Sequence, residues 1–104
     1  MAREQLQTLT EPMYYILLSL RQECCGVDIM RQVENISGGR IKVGAGTLYG
    51  LLEKFLMAGI IQETKVEGRK RSYIITPKGI EMLQREYERL SIMIKDGEEL
   101  LKEL

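Results

Sequence analysis

Residues 43–52 read VGAGTLYGLL. Glycines stand at positions 44, 46 and 50, and an apolar series begins among them. Leu48, Leu51, Leu52 and Phe55 recur at the spacing of one helix face, which predicts a helix over about 45–58. Gly44 can cap its start, and Gly59 ends it, as glycine does just past a helix. A glycine-rich turn opening a helix raises the question of a phosphate cradle. The order G-x-x-x-x-G-K-[ST] is absent, however, no strand precedes the turn and no acidic magnesium ligand follows in a parallel-sheet context. The stretch is therefore expected to be a helix start, not a nucleotide loop.

Working outward, Thr10 is expected to cap a first helix over about 11–22, with Glu11 and Pro12 in its first turn. Met13, Ile16, Leu17 and Leu20 form its apolar stripe, and Gly26 breaks it. A second helix runs to about 36 and stops at Ser37-Gly38-Gly39. Its expected buried stripe is Val27, Met30, Val33 and Ile36, with Asp28 in the first turn. Downstream, IIQETK (60–65) and KRSYIIT (70–76) predict two strands, rich in β-branched and aromatic residues. The intervening Val66-Glu67-Gly68-Arg69 joins them as a hairpin, with Glu67-Gly68 as its turn.

Thr76-Pro77-Lys78 opens the last helix, with Thr76 as cap and Pro77 at the first position. Its series is Ile80, Leu83, Tyr87, Leu90, Ile94, Gly97, Leu101 and Leu104. The steps alternate three and four residues, a heptad seam with Gly97 as its one non-apolar member. At 1.5 Å per residue this helix would be roughly 40 Å long, too long for a domain of about 75 residues to cover. Residues Ile80, Leu83, Tyr87, Leu90, Ile94 and Leu101 are therefore the expected dimer interface.

The element order is helix, helix, helix, strand, strand, long helix. That order predicts a mainly α chain with a small β-hairpin: a winged helix-turn-helix domain plus a long C-terminal dimerisation helix. The expected division is residues 1–76 for the winged-helix DNA-binding domain and 77–104 for the dimerisation helix, which forms one compact unit with the first helix.

The totals narrow the function classes. With 104 residues, 44% hydrophobic and 29% charged, the chain fits one soluble domain. No apolar run reaches the ~20 residues that span a bilayer. MAREQLQTLTEP (1–12) lacks the apolar core of a signal peptide, so a cytoplasmic protein is expected, with no membrane partner. Histidine is absent, which removes the commonest general base and metal ligand. Cys24 and Cys25 are adjacent and cannot staple distant segments. They are expected to be small buried or half-buried side chains in a reducing compartment, with a thiol switch as the alternative. No catalytic residue, metal site or cofactor is expected, and neither a nucleophile–base pair nor paired carboxylates in a credible pocket support an enzyme.

The net charge is zero but unevenly spread. Residues 1–37 hold three basic and five acidic residues, and 79–104 hold four and seven. The middle, 38–78, holds eight basic against three acidic, a local excess of five positive charges. With the leucines of 45–58 turned inward, the opposite face shows Gly46, Thr47, Gly50 and Lys54, with Tyr49 on the flank. Small residues allow a helix backbone to approach a duplex, and free N–H groups of a first turn can bond phosphate. The Thr47 and Tyr49 hydroxyls can contact DNA, and the Thr47 methyl could meet a thymine methyl. The face lacks arginine, so direct guanine reading from it is not expected. Arg69, Lys70 and Arg71 cluster at the hairpin tip. Strand alternation would send Arg69 and Arg71 to one face and Lys70 to the other. Arg40 and Lys42, just before the glycine-rich helix, are expected to add to the footprint.

The chain resembles the PadR family of transcriptional regulators, in its short winged-helix form. The residues that carry the resemblance are LTEPMYYILLSL (9–20), GVDIM (26–30), GAGTLYGLL (44–52), GII (59–61), GRKRSYIITPKG (68–79) and YERL (87–90). Together they cover nearly the whole chain. Two positions depart from the family pattern: Val27 stands where a tyrosine is common, and Ala45 where proline is usual. Alanine is a strong helix former, so the second departure leaves the helix intact.

The resemblance implies a homodimer in which the last helix of each subunit packs on the other, assisted by the first helix. It implies a regulator, usually a repressor, of a palindromic double-stranded DNA operator. It also implies DNA contacts from Lys42, Thr47, Tyr49, Arg69, Lys70 and Arg71; Lys54 is added from the helical face alone. Met82, Ile92, Met93 and Leu100 lie off the strict seam. They either widen the dimer interface or line a cavity for a small hydrophobic or aromatic effector, since flexible Met surfaces adapt to varied partners. The alternative function is a winged-helix protein-interaction module without specific DNA binding.

Overall fold

The computed structural model describes residues 8–104. Its elements are α1 (Glu11–Ser19), β1 (Cys24–Cys25), α2 (Gly26–Ile36), α3 (Ala45–Ala58), β2 (Ile61–Glu67), β3 (Lys70–Ile75) and α4 (Pro77–Leu101). This is the expected winged-helix order with the long C-terminal helix, plus one strand the sequence pattern did not reveal. Residues 1–7, part of the stretch on which the absence of a signal peptide was argued, lie outside the described residues.

Helix α1 starts where the Thr10 side chain accepts the Met13 N–H at 3.4 Å, as expected of a capping threonine. It ends at Ser19, three residues short of the expected Gln22, because the chain tightens there. The Leu20 and Arg21 N–H groups bond carbonyls only three residues back. The stripe itself is as read: Met13, Ile16, Leu17 and Leu20 are all buried.

Helix α2 corrects the sequence reading. Gly26 is its first residue, and its buried face is Ile29 and Val33. Val27 and Ile36, expected inside, are exposed, and Met30 is only half-buried. Val33 is buried as expected, and Ile29, one turn before it, takes the inward place that Val27 was expected to hold. The stop at Ser37-Gly38-Gly39 is as expected, with positive φ at both glycines.

Helix α3 has the predicted limits. Gly59 terminates it with φ +75°, and the Ile60 N–H bonds the Phe55 carbonyl while the Gly59 N–H bonds Leu56. This is the paired closure that a left-handed glycine allows. Leu48, Leu52 and Phe55 are buried and Leu51 is half-buried. With Ile16, Leu17, Leu20, Ile29, Val33, Ile60, Ile61, Tyr73 and Ile75 they form one core. Burying a side chain of this size contributes roughly 1.5–3 kcal/mol.

The three strands form one antiparallel sheet in the order β1-β3-β2. Cys24 and Cys25 pair with Tyr73 and Ser72, so the missed strand is a two-residue edge too short to carry a period-two signal. The hairpin also runs longer than read. Glu67 faces Lys70, so the turn is Gly68-Arg69 rather than Glu67-Gly68, and Gly68 takes φ +63°. Arg69 therefore sits in the turn, and the expected alternation of Arg69, Lys70 and Arg71 does not apply to it. The register slips at Thr64, which has no partner on β3 and marks a bulge. Beyond Ile61 every residue of β2 is exposed, so the outer hairpin projects as a wing.

Helix α4 starts on Thr76, whose hydroxyl accepts the Gly79 N–H at 3.2 Å and donates to the Gly59 carbonyl at 2.8 Å. Lys78 bonds the Ala58 carbonyl at 2.9 Å, placing a cation at the C-terminal end of α3. A Cβ at Gly79 would collide with the Ile60 carbonyl, so glycine there lets α4 lie directly on the α3–β2 junction. Met82 and Leu83 pack partly against the core. Glu86 is buried and accepts the Leu9 N–H at 3.4 Å and the Arg89 Nε and Nη2 donors, at 3.0 and 2.5 Å. Past Leu90 the helix leaves the domain, and the molecule measures 57 Å along its longest axis.

Candidate nucleic-acid interface

The outer face of α3 is open. Gly46, Thr47, Gly50 and Lys54 are all exposed, opposite the buried Leu48, Leu52 and Phe55. Gly46 and Gly50 on this face answer no demand of the fold. A Cβ built at Gly44, Gly46 or Gly50 meets nothing within 4 Å, and positive φ among the described residues is confined to other glycines. A glycine inside a helix costs roughly 1 kcal/mol relative to alanine. Gly44 is accounted for as the cap of α3, but the presence of Gly46 and Gly50 inside the helix is unexplained by anything within the chain.

Tyr49 is placed differently from Thr47. It is 47% exposed, and its hydroxyl end lies over Gly26 at the start of α2. It therefore ties α3 to α2 with one edge while the other faces solvent. Sequence reasoning missed the role of Gly26, reading it only as a helix breaker. The two residues are distant in sequence, and no periodicity connects them.

The wing carries its cations unevenly. Arg71 pairs with Glu63 across the hairpin at 3.3 Å, and Lys70 stands opposite Glu67. Arg69, in the turn, is exposed, and neither it nor Lys54 has an ion-pair partner among the described residues. Lys42 is 74% exposed and lies 4.0 Å from Glu34, too loose a pair in water to hold it. Arg40 has partners within the chain. Its guanidinium donates to Glu11 at 2.7 Å and to the Tyr15 hydroxyl at 3.2 Å, fastening the α2–α3 connection to α1. Arg40 is thus engaged with α1, whereas Lys42 before α3 has only its loose contact with Glu34.

The second surface is α4. In the single chain Ile80 is 44% exposed, Tyr87 64%, Ile94 65% and Leu101 66%, while Leu83 and Leu90 are half-buried. Ile92, Met93 and Leu100 are exposed beside them, whereas Met82 packs inward on its own core. Between α1 and the first half of α4 lies a groove of about 840 Å³, lined by Tyr14, Leu18, Ile80, Leu83 and Tyr87. Burial pushes the Tyr14 phenol up, aided by Tyr87 and the neighbouring Tyr15 and Glu86. In the opposite direction, the Arg89 guanidinium holds the Glu86 carboxyl below the usual carboxylate range, assisted by the Leu9 N–H against the effect of burial.

Both thiols are free and at least partly covered. Cys25 is buried and donates to Asp28 at 3.3 Å. Burial, then the Asp28 carboxylate, pushes Cys24 up to about 11. No group of acidic, cysteine or histidine side chains among the described residues could hold a metal ion, and no described helix is long and apolar enough to cross a membrane.

Residues 16–85 match the Transcriptional regulator PadR-like family. The chain belongs to that family. The match runs from α1 through the wing into the first half of α4, covering both the α3 face and the basic hairpin. The resemblance read from the sequence is borne out, and membership in the PadR-like family places the chain among transcription regulators.

A curated relative, an uncharacterized 37.1 kDa protein in transposon TN4556 of Streptomyces fradiae, is 36% identical over 61 residues, 59% of this chain. The chain spans only 17% of that protein's length. Among solved structures, a transcriptional regulator from Clostridium thermocellum superposes with a TM-score of 0.71 at 20% identity, over 86% of this chain and 87% of that one. A PadR-family transcriptional regulator from Eggerthella lenta gives 0.70 at 20% identity, over 96% and 80%. RosR of H. salinarum gives 0.64 at 21% identity, over 88% and 96%. At these identities the structures share the PadR-like fold.

Proposed function

We propose that this PadR-like chain is a DNA-binding transcriptional regulator acting as a homodimer, with residues 1–76 binding DNA and 77–104 joining the subunits. The observation that carries this reading is the outer face of α3. Its Gly46 and Gly50 lower helix stability with no return inside the chain, and they lie beside Thr47 and Lys54 on a surface open to solvent. A duplex approaching that face explains the missing side chains. Thr47 and Tyr49 supply hydroxyls, and Lys42, Lys54, Arg69, Lys70 and Arg71 supply phosphate contacts. A second copy covers the apolar seam Ile80, Leu83, Tyr87, Leu90, Ile94 and Leu101, because so many exposed apolar side chains on one helix mark an interaction surface. A two-fold dimer reads a palindromic operator. Repression follows from occupying that operator in the cytoplasm. A small hydrophobic or aromatic effector releases it by entering the apolar space beside α4.

Titration of the protein onto its own promoter duplex at rising salt tests the reading. Affinity should fall steeply with salt and exceed that for random duplex. Flat salt dependence with no sequence preference refutes it. The second reading, a protein-interaction module, draws on the wing, where Glu63 and Glu67 offset two of its cations. Unchanged regulation in cells after Arg69, Lys70 and Arg71 are all replaced by alanine would favour it.

A further inference from the structure

Gly26 is buried at the first position of α2, and no positive φ explains its identity. What explains it is Tyr49. A Cβ on residue 26 would overlap the Tyr49 hydroxyl and stand 2.9 Å from Cζ and 3.2 Å from Cε1 of the same ring. No other group is as near, so the close approach is between one backbone and one phenol. Tyr49 is also the one large side chain on the solvent-facing flank of the first turns of α3, beside the exposed Gly46, Thr47 and Gly50. Its direction is therefore set from outside its own helix.

We propose that Gly26 is a positioning residue for Tyr49: the bare backbone at position 26 is the seat that holds the phenol, and with it the first turns of α3, in the arrangement that meets the duplex. This rests on the DNA-binding reading above. Any larger residue at 26 drives the ring off its seat. It then swings toward the open face occupied by Thr47 and Gly50, where it occupies space the duplex needs, or it forces α2 and α3 apart. In both cases the loss at DNA originates in the collision with the Tyr49 ring. Gly26 itself touches no DNA.

A double-mutant cycle isolates this coupling. Gly26→Ala, Tyr49→Ala and the double variant are compared with wild type for affinity to the promoter duplex, far below the unfolding midpoint, and for thermal midpoint. Gly26→Ala should weaken binding by about tenfold or more, the loss of one good contact at a duplex. In the Tyr49→Ala background the same change should cost no further affinity and no stability, because the obstructing ring is gone. Additive losses overturn the proposal, as does a Gly26→Ala protein that melts earlier yet binds DNA as wild type does. Failure of the wild-type protein to prefer promoter over random duplex is a separate result. It refutes the DNA-binding reading before the cycle is begun.

Discussion

Gly50→Ala separates what the chain needs to fold from what it needs to bind. Gly50 is the sixth residue of α3, well inside the helix, and its added Cβ meets nothing within 4 Å. No clash opposes the change, so the intrinsic difference between glycine and alanine should appear nearly in full, about 1 kcal/mol of added stability. For a domain of this size that corresponds to roughly 4–8 °C in thermal midpoint. If the outer face of α3 lies against a duplex, the same methyl group stands between helix backbone and DNA. Promoter affinity should then fall by roughly tenfold, comparable to one mismatched base pair. Calorimetric melting and a fluorescence-anisotropy titration on the same preparation read both quantities. Opposite signs are the expected outcome. A variant that is more stable and binds DNA with wild-type affinity refutes the idea that the bare face serves the duplex.

Replacing Arg69, Lys70 and Arg71 with alanine should lower affinity for all duplexes alike and flatten the slope of log K against log salt, by about 0.9 for each phosphate no longer neutralised; an unchanged slope would remove the wing from the interface. Ile94→Asp should leave the monomer folded, since the side chain is 65% exposed there, but should abolish dimers seen by analytical ultracentrifugation, because an aspartate would be buried unpaired in each interface. Glu86 has a depressed folded pKa, so the stability it contributes is present above its unfolded value and is lost as pH falls through the folded one. Glu86→Gln should therefore melt earlier at neutral pH, with the difference from wild type shrinking in acid. Cys24, raised to about 11, should react with iodoacetamide at pH 8 far more slowly than a free cysteine; rapid alkylation in the folded protein would contradict its burial.

The parts of the fold legible in the sequence were those with several turns of repeated pattern and chemical stops. Helix α3 had its leucine series and Gly59, and α4 had Thr76-Pro77 and a long seam. Strand β1 was hidden because two residues carry no period, and its existence depends on β3 arriving beside it. In α2 the inward place of Val33 was legible, but that of Ile29 was not, because Val27 and Ile29 are both apolar and only the packing against α1 and α3 decides between them. At the candidate interface, residue types and spacing located the open face and the wing. The commitment of Arg40 to Glu11 and Tyr15, and the contact of Tyr49 with Gly26, join segments 23–29 residues apart. Such contacts leave no local signal. The buried Glu86 was invisible for the same reason: its Leu9 partner lies 77 residues away.

Hydroxyl-radical footprinting of the protein on its own promoter tests the central claim most directly. Two-fold related α3 helices and wings predict two protected patches of equal strength, separated by about 34–36 Å or a multiple of it along one side of the duplex. The Ile94→Asp variant should lose both together. A single patch bound by one chain, or no protection at concentrations where the protein is dimeric, would contradict a homodimer that reads DNA through α3 and the wing.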